Sequence, residues 1–456
     1  MIEDEVNLEF INNKGNFRKS YRMAIVFLIA FLTIAVLVDP VLSQSVITVP
    51  DDYPTIQAAV NAADSGDIIN IKRGIYTENI VVNKSITLSG YERDDTVIQS
   101  MSDPTVMIEA DNVEISGLTM RSVSTDFYSS LTNLIFSNNN VEGTFSFFFV
   151  SNAVIYENTV GDDMAVYGSL DINITGNIFN DVYGLWHSSN SIIEENTGGT
   201  LFLLDSSQNI VSNNNATSIG IAGQETPTSN NIVSGNRVEE GTGITITNSS
   251  LNTVEDNIIS HSSGFGIELE VASNNSIIRN DVQFNIGGIR LFESSNNTIT
   301  ENYVYNTNVA NVIELIDSND NTIFKNDFSM LGFYGVDLQG SHNNKIFHNN
   351  FVGCQASDDS ADNLWDDGYP SGGNYWSDYT GVDEKNGPEQ DQTGSDGIGD
   401  TSYVIGSNSR DWYPLMNTAV IPEFSSPLLM ALVFMGMCLF IVIRKLKIKT
   451  KPKYGL

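Results

Sequence analysis

The sequence predicts an all-β fold, a parallel β-helix of stacked coils, from two observations. Asparagines recur about every 21 residues, a period in the range of solenoids, and each follows an Ile or Val by three residues: Asn138, Asn158, Asn177, Asn196, Asn214, Asn236, Asn257, Asn280, Asn302, Asn326 and Asn349. Short alternating segments such as Ile267-Glu-Leu269 and Ile313-Glu-Leu315 lie between them, with the two-residue period of a strand. The repeat is too short for a strand–helix–strand unit of roughly 30 residues, so we expect short strands and tight turns.

The physics of such a stack explains the recurring asparagines. Stacked coils pair strand on strand at about 4.8 Å, so equivalent side chains line up. The Ile, Val, Leu and Phe side chains that point inward form a core that no single repeat can bury alone. Asparagine tolerates left-handed turn angles, and stacked amides hydrogen-bond along the column. We therefore expect the asparagines to form a structural ladder rather than a ligand site.

Residues 46–100 differ from the repeats and predict an N-terminal cap. They contain a short amphipathic helix over residues 55–63 and strands at 69–71, 80–82 and 86–88. A solenoid needs such a cap because its first coil otherwise exposes core and an unpaired edge. The repeats run over residues 101–352. Residues 353–416 are rich in aromatic and turn residues and predict an irregular C-terminal module, and residues 417–427 predict a linker.

Two hydrophobic segments frame the chain. Residues 23–38 follow several basic residues, so residues 1–45 predict either a cleaved signal peptide or an uncleaved N-terminal anchor. Residues 428–444 predict a transmembrane helix, and residues 445–456 a basic cytoplasmic tail. Because basic residues lie outside both segments, the positive-inside rule places the bulk of the chain outside the cell. The sequence therefore predicts a protein of the cell membrane and cell surface, with the cell envelope as partner.

Charge and cysteine content narrow the partners and the chemistry. The net charge of −34 excludes a nucleic-acid partner, which needs a basic surface. Cys354 and Cys438 are the two cysteines, and Cys438 lies in the second hydrophobic segment, so no intramolecular disulfide is expected. In an exported protein, sequons are glycosylation candidates, although an Asn/Ser/Thr-rich repeat also produces them by chance. They begin at Asn83, Asn173, Asn215, Asn248, Asn274 and Asn296.

One column of outward-facing positions carries the candidate catalytic residues. From coil to coil, the residue between the Ile or Val and the Leu of the second strand is Glu268, Arg290, Glu314 and Asp337. Stacking would bring Glu314 and Asp337 near the roughly 5–5.5 Å separation of a retaining glycosidase pair, with Arg290 placed to hold a substrate carboxylate. The alternative is an exposed charge ladder in which Arg290 neutralises its neighbours. That alternative leaves the Glu314–Asp337 contact unexplained.

A family resemblance covers nearly the whole chain. Thr55-Ile-Gln-Ala-Ala-Val60 and Lys84-Ser-Ile-Thr-Leu-Ser-Gly90 resemble the opening of right-handed β-helices of the pectin-lyase-like fold. The Asn-Thr-Ile-x-x-Asn repeats resemble the NosD-like, carbohydrate-binding-and-sugar-hydrolysis (CASH) family. Gly373-Asn-Tyr-Trp-Ser-Asp-Tyr379 is similar to the module that ends many archaeal surface proteins of this type. Ile421-Pro-Glu-Phe424 and the apolar span after it resemble a PEF-type sorting signal. The resemblance implies a single-stranded right-handed β-helix and says little about any reaction.

The sequence contains a candidate calcium loop but no grouped copper ligands. Asp396-Gly-Ile-Gly-Asp400 resembles half of a calcium-binding Asp-rich loop, in which Asp391 or Asp383 would replace the missing upstream ligands. A Gly/Asp turn without metal is the alternative. Copper is not expected, because the histidines (His187, His261, His342 and His348) are scattered and lack grouped soft ligands. Two functions stay open: a structural or glycan- or protein-binding envelope component, or a hydrolase, lyase or epimerase acting on a polysaccharide.

Overall fold

The computed structural model describes residues 44–421 except Met101, Asn306, Asn308, Leu331, Gly332 and Asn408. The chain divides into two units, Met1–Val46 and Ile47–Leu456, and the β-helix belongs to the second. Both predicted hydrophobic segments, the sorting signal and the basic tail lie outside the described residues. Within those residues, no helix has the length and apolar character needed to cross a bilayer.

The predicted N-terminal helix is present as α1, Ile56–Ala62. Thr55 caps it, because its hydroxyl accepts a hydrogen bond from the backbone N–H of Ala58 at 3.1 Å. The apolar face of α1 is buried in the core through Ile56, Ala59 and Val60. A short 3₁₀ helix at Arg93–Asp95 is the second helical segment of the described chain.

The strands form three long parallel faces, and most coils contribute one strand to each face. The first face is the sheet that begins each coil. Its strands are Val46–Val49, Ile68–Ile71, Thr87–Gly90, Glu114–Ser116, Ile135–Ser137, Val150–Tyr156, Leu170–Thr175, Ile192–Glu194, Ile210–Ser212, Ile232–Ser234, Thr253–Glu255, Ser276–Ile278, Thr298–Thr300, Thr322–Phe324 and Lys345–Phe347, with Leu131–Thr132 beside Val150–Tyr156.

The second face follows the recurring asparagine of each coil. Its strands are Gly74–Thr77, Thr96–Gln99, Thr119–Met120, Asn140–Val141, Thr159–Val160, Ile178–Phe179, Ile258–Ser260, Asp281–Gln283, Tyr303–Tyr305, Asp327–Ser329, Asn350–Val352 and Tyr375–Trp376. Two long strands, Asn215–Ala222 and Arg237–Thr247, bend around the corner and serve both this face and the next.

The third face carries the predicted catalytic column. Its remaining strands are Ile80–Val82, Val106–Ile108, Val123–Thr125, Phe145–Phe148, Met164–Tyr167, Val182–Trp186, Thr200–Leu204, Phe265–Glu270, Gly287–Phe292, Ile313–Ile316, Tyr334–Gln339 and Gln355–Asp358. Thr228–Ser229 pairs with Ser249–Ser250 between the third and first faces. Two antiparallel pairs follow the last coils: Lys385–Asn386 with Gln392–Thr393, and Tyr403–Val404 with Arg410–Asp411.

The predicted all-β parallel solenoid is confirmed. Inward positions stack in register along each face; Ile289 pairs with Ile313, and Ile313 with Val336, all fully buried. Parallel pairing continues past residue 352, since Tyr375–Trp376 pairs with Asn350–Val352. A stack of rings closes the core there: Phe351 lies 4.0 Å from Trp376, and Trp376 lies 4.1 Å from Tyr403 on its other side, measured between ring centroids.

The predicted asparagine ladder exists, with one correction. Each ladder amide oxygen accepts from the backbone N–H of the asparagine one coil earlier, and each amide NH₂ bonds onward to the next amide oxygen and to a buried carbonyl. The members are Asn139, Asn158, Asn177, Asn196, Asn214, Asn236, Asn257, Asn280, Asn302, Asn326, Asn349 and Asn374. The prediction of Asn138 was wrong, because Phe136 and not Ile135 points inward, which moves the ladder to Asn139.

The turn chemistry also differs from the expectation. The left-handed residue is not the ladder asparagine but the residue before it, for example Glu195, Arg279 and Lys325, with φ of 55°, 51° and 55°. A left-handed residue with a side chain costs about 1–2 kcal/mol. The turn keeps this conformation because it aims the next side chain, the asparagine, into the buried column.

Two further polar columns line the corner between the third and first faces, and the sequence analysis did not separate them. The second asparagine ladder joins Asn209, Asn231, Asn252, Asn275, Asn297, Asn321, Asn344 and Asn363. A serine column joins Ser169, Ser188 and Ser206, and later Ser294, Ser318 and Ser341. Both columns satisfy backbone N–H groups that the turns take out of the strand pairing.

Both asparagine ladders end on an aspartate that also accepts from a buried tryptophan. Asp411 accepts the backbone N–H of Asn374 at 2.7 Å and the indole N–H of Trp376 at 2.8 Å. Asp358 accepts from the amide of Asn363 and from Trp365, both at 2.9 Å. Each ladder therefore ends on a carboxyl group whose oxygens accept from the last asparagine and from the neighbouring indole.

We predict that Asn280→Ala lowers the free energy of unfolding by about 3–5 kcal/mol. The substitution removes the acceptor for Asn257 and the donor to Val254 and Asn302, and each buried group left unpaired costs about 1–3 kcal/mol. Urea unfolding of the two proteins measures the difference. Asn296→Gly is the control, because this side chain is exposed and glycine keeps the left-handed backbone; equal losses for both variants would contradict the ladder account.

Asp411 should make stability depend on pH. Burial raises the pKa of this carboxyl to about 7, although the N–H groups of Trp376, Asn374 and Tyr413 oppose the shift. A raised folded-state pKa stabilises the fold below the unfolded value near 4, and this contribution is lost as pH rises through 7. We expect the free energy of unfolding of wild type, relative to Asp411→Asn, to fall by up to about 4 kcal/mol between pH 4 and pH 8. A difference that stays constant over that range would contradict it.

Candidate functional site

The four predicted catalytic residues lie in one outward column of the third face. Strand register pairs Glu268 with Arg290, Arg290 with Glu314, and Glu314 with Asp337. Register also places Thr245 before Glu268 and Ser357 after Asp337. The predicted stacking is therefore present, and the chemistry depends on how the charged groups are paired.

Arg290 is held between its two neighbours in the column. Its Nη1 lies 3.2 Å from Oε1 of Glu268, and its Nε lies 3.4 Å from Oε2 of Glu314. The rings of Phe265 and Phe292 pack near the guanidinium carbon at 5.5 and 5.6 Å, distances at which a cation and an aromatic face attract. This arrangement is the charge ladder that the sequence analysis gave as the alternative to a substrate-binding arginine.

Asn311 accounts for the adjacent acidic pair, and the sequence analysis missed it. Its amide nitrogen donates to Oε1 of Glu314 at 3.3 Å and to Oδ2 of Asp337 at 3.0 Å. Gln339 donates to the same Asp337 oxygen at 2.9 Å. Asp337 is buried, with 7% of its surface exposed. Nothing local in the sequence marks Asn311, because it lies in the turn before the strand that carries Glu314.

A cavity of about 520 Å³ lies beside Asn311, within the usual size range of small-ligand sites. Its lining includes Phe333, Tyr334, Gln355 and Asp378. Cys354 also lines it, but burial raises the pKa of this thiol to about 12, so the residue is a poor nucleophile at neutral pH. The cavity therefore offers hydrogen-bonding groups and two partly exposed rings next to the acidic end of the column.

The first half of the third face has a different outer surface. The coils before Glu268 carry uncharged residues in the same outward column, namely Ser146, Ala165, Gly184, Phe202, Gly220 and Thr245. The neighbouring outward column carries Phe148, Tyr167 and Trp186. The signal in the sequence was the aromatic content of these early coils. We name Phe148, Tyr167 and Trp186 the aromatic stripe.

The predicted calcium ligands already have protein partners. Asp400 accepts the backbone N–H groups of Glu384 and Lys385, both at 3.1 Å. Asp396 accepts the N–H of Ile398 at 3.0 Å and the amide of Gln390 at 3.2 Å. Asp391 is exposed. Among the described residues, no three acidic, histidine or cysteine side chains are close enough together to hold a metal ion, and calcium binding stays a prediction.

The four histidines and the six sequons are dispersed over the surface. His187 packs edge-on against Tyr167, and His261 stacks on Phe284. His342 contacts Asp362 at 3.0 Å, and His348 contacts the carbonyl of Ser371 at 2.9 Å. Five sequon asparagines have exposed side chains, namely Asn83, Asn215, Asn248, Asn274 and Asn296, and Asn173 is half-buried. Glycosylation stays a prediction.

Several solved structures are similar to this chain at low identity. The A-module of Azotobacter vinelandii mannuronan C-5 epimerase AlgE4 is 13% identical, with 63% of this chain and 91% of that chain covered and a TM-score of 0.38. DFA-IIIase from Arthrobacter chlorophenolicus A6 is 14% identical, with 62% of this chain and 94% of that chain covered and a TM-score of 0.45. Tailspike protein 3 of bacteriophage CBA120 is 11% identical, with 80% of this chain and 66% of that chain covered and a TM-score of 0.43. Similarity at this level carries no argument about activity, and no curated protein matches the sequence.

One family model matches the central coils. It is described as periplasmic copper-binding protein (NosD), and it matches residues 186–331 and 230–381. These residues carry the second asparagine ladder, the first ladder from Asn196 to Asn374, and the whole charged column. Over residues 186–381, the chain is therefore similar to NosD-like proteins, and the parallel coils described above lie in the matched part.

Proposed function

We propose that this chain is an exported, membrane-anchored protein of the cell surface whose β-helix binds glycans without transforming them. The resemblance to exported β-helix proteins and the two hydrophobic ends of the sequence support export and anchoring. A chain of net charge −34 repels anionic polymers, so a neutral glycan is the favoured ligand.

The pairing of the charged column is the observation that carries the non-catalytic proposal. Arg290 contacts Glu268 and Glu314, and Asn311 spans Glu314 and Asp337. A general acid must bring a proton to the leaving group, and a nucleophile must approach the reacting carbon. The carboxylates of this column instead form ion pairs and hydrogen bonds with residues of neighbouring coils.

The donor atoms of the described residues do not favour a copper site. A copper site needs imidazole or soft sulfur ligands that converge. Each histidine described above has its own separate partner, and Cys354 is buried with a protonated thiol. No function of the chain is therefore derived through copper.

An enzyme acting on a polysaccharide is the second candidate, and the cavity beside Asn311 favours it. The cavity lies where the acidic column ends, and its lining includes Asp378, whose carboxylate accepts from Gln355 at 3.0 Å and from Tyr403 at 3.2 Å. A sugar bound there would sit within reach of the amide that holds Glu314 and Asp337.

An activity screen separates the two candidates. We expect the full-length chain to be retained by a neutral glycan while it produces neither new reducing ends nor unsaturated sugars from a polysaccharide panel. If products appear and are lost in the double variant Glu314→Gln with Asp337→Asn, the enzyme candidate is correct. Products that survive the double variant would exclude both the non-catalytic proposal and this site. The double variant keeps hydrogen-bond acceptors at both positions, so retention by the glycan is its folding control.

We further propose that calcium binds within residues 378–400 and stabilises this region. Millimolar Ca²⁺ should raise the melting temperature more than an equal ionic strength of Na⁺, which controls for screening of the acidic surface. Free ion at 100 times the dissociation constant would add about 2.7 kcal/mol. Asp396→Asn with Asp400→Asn keeps acceptors for the backbone N–H groups but removes the charges. A calcium increment that survives this double variant would show that the ion acts on diffuse surface charge.

A further inference from the structure

The outer surface of the third face changes character along the stack. From Ser124 to Thr247, the strand positions that point outward on this face are uncharged. They belong to a chain with 56 acidic residues, yet none of these outward positions carries a charge. From Glu268 onward, the same column becomes charged.

The aromatic stripe stands along one edge of this uncharged run. Phe148, Tyr167 and Trp186 follow one another in strand register, so the rings recur once per coil, about 4.8 Å apart. All three are half-buried, with part of each ring open to solvent. Phe148 and Tyr167 have ring centroids 6.3 Å apart, and the ring of His187 packs on Tyr167 at 4.9 Å.

Additional rings gather at the N-terminal end of the stripe. Phe127 packs on Phe148 at 5.1 Å and on Phe149 at 5.4 Å, while 50% of its surface remains exposed. Tyr128 is 93% exposed. Phe149 takes the left-handed turn conformation that recurs at this position of the coils, with φ of 53°. Rings serving only the core would be buried, whereas these remain open.

Small and polar side chains complete a shallow groove beside the rings. Ser146, Ala165 and Gly184 form its floor, because they occupy the adjacent outward column. The opposite edge carries Thr144, Asp163, Val182 and Thr200 in successive coils, and the carboxylate of Asp163 accepts the backbone N–H of Val182. A hexose has an apolar C–H face and a rim of hydroxyl groups, so one side of this groove suits each part of the sugar.

We infer that the aromatic stripe and its groove bind a neutral polysaccharide that runs along the β-helix, with one sugar face on each successive ring. The inference rests on the proposed glycan-binding role and gives it a site, separate from the charged column and from the cavity at Asn311. The strand positions of this run are uncharged and the carboxylate of Asp163 at its edge is negative, and both favour a neutral polymer over an anionic one. The regular spacing of the rings favours a polymer with a regular repeat over a compact ligand.

Affinity electrophoresis of the full-length chain tests the site. The gels contain hydroxyethylcellulose, galactomannan or dextran as neutral probes, and alginate as the charged comparison. We expect at least one neutral polymer to retard the protein, and Tyr167→Ala with Trp186→Ala to weaken that retardation at least about tenfold. The matched control is Phe324→Ala with Phe347→Ala, which removes a stacked ring pair from the first face and should leave retardation unchanged. Circular dichroism and melting temperature verify the fold of both variants.

Tryptophan fluorescence tests the same site without altering the stripe. Trp365 and Trp376 are buried, so in a Trp412→Phe background Trp186 is the remaining indole open to solvent. The retarding polymer should protect this indole from quenching by acrylamide. Unchanged quenching, or equal retardation of wild type and the stripe variant, would overturn the site and leave the glycan-binding role intact.

Two other results would also overturn the inference. If none of the neutral polymers retards the wild-type protein, both the site and the glycan-binding role fall. If sedimentation velocity shows a dimer that Tyr167→Ala with Trp186→Ala dissociates, the stripe is a contact between two copies of the chain rather than a polysaccharide site.

Discussion

The hydrogen bond between asparagines of successive coils is the interaction on which this structure depends. Each buried amide accepts from the coil before it and donates to the coil after it, as Asn280 does between Asn257 and Asn302. The turn that aims the amide inward removes backbone N–H groups from strand pairing, and the amide of the next coil replaces the lost partner. Because a side chain of one coil completes the backbone of another, the turn, the register and the stacking are specified together.

This ladder also fixes where outward side chains appear. With register locked, an outward position in one coil lies about 4.8 Å from the same position in the next. The column from Glu268 to Asp337 and the stripe from Phe148 to Trp186 are therefore two stretches of one periodic surface. The scaffold supplies the spacing, and the choice of side chains at a few outward positions supplies the chemistry.

The sequence predicted the repeat because the fold is periodic. It placed the charged column in the correct register, since Ile, Val and Leu on both sides of each charged residue mark the inward positions. It misplaced the first ladder residue at Asn138 because Ile135 and Phe136 are both apolar, and local pattern alone does not say which one points inward. The sequence pattern did not reveal Asn311 or Asp411, because their hydrogen-bond partners are distant in the chain. Asn311 bonds to Asp337, 26 residues away, and Asp411 bonds to Asn374, 37 residues away. Contacts of that kind have no local period.

Electrostatic repulsion differs between the two halves of the third face. A column of like charges on strands about 4.8 Å apart repels itself, so the charged half needs Arg290 and Asn311 to hold its carboxylates together. That requirement leaves those carboxylates little freedom to engage a ligand. The uncharged half has no such requirement, and its rings at Phe148, Tyr167 and Trp186 remain partly open. On this protein, the surface available for recognition is therefore expected where the charge is absent rather than where it is concentrated.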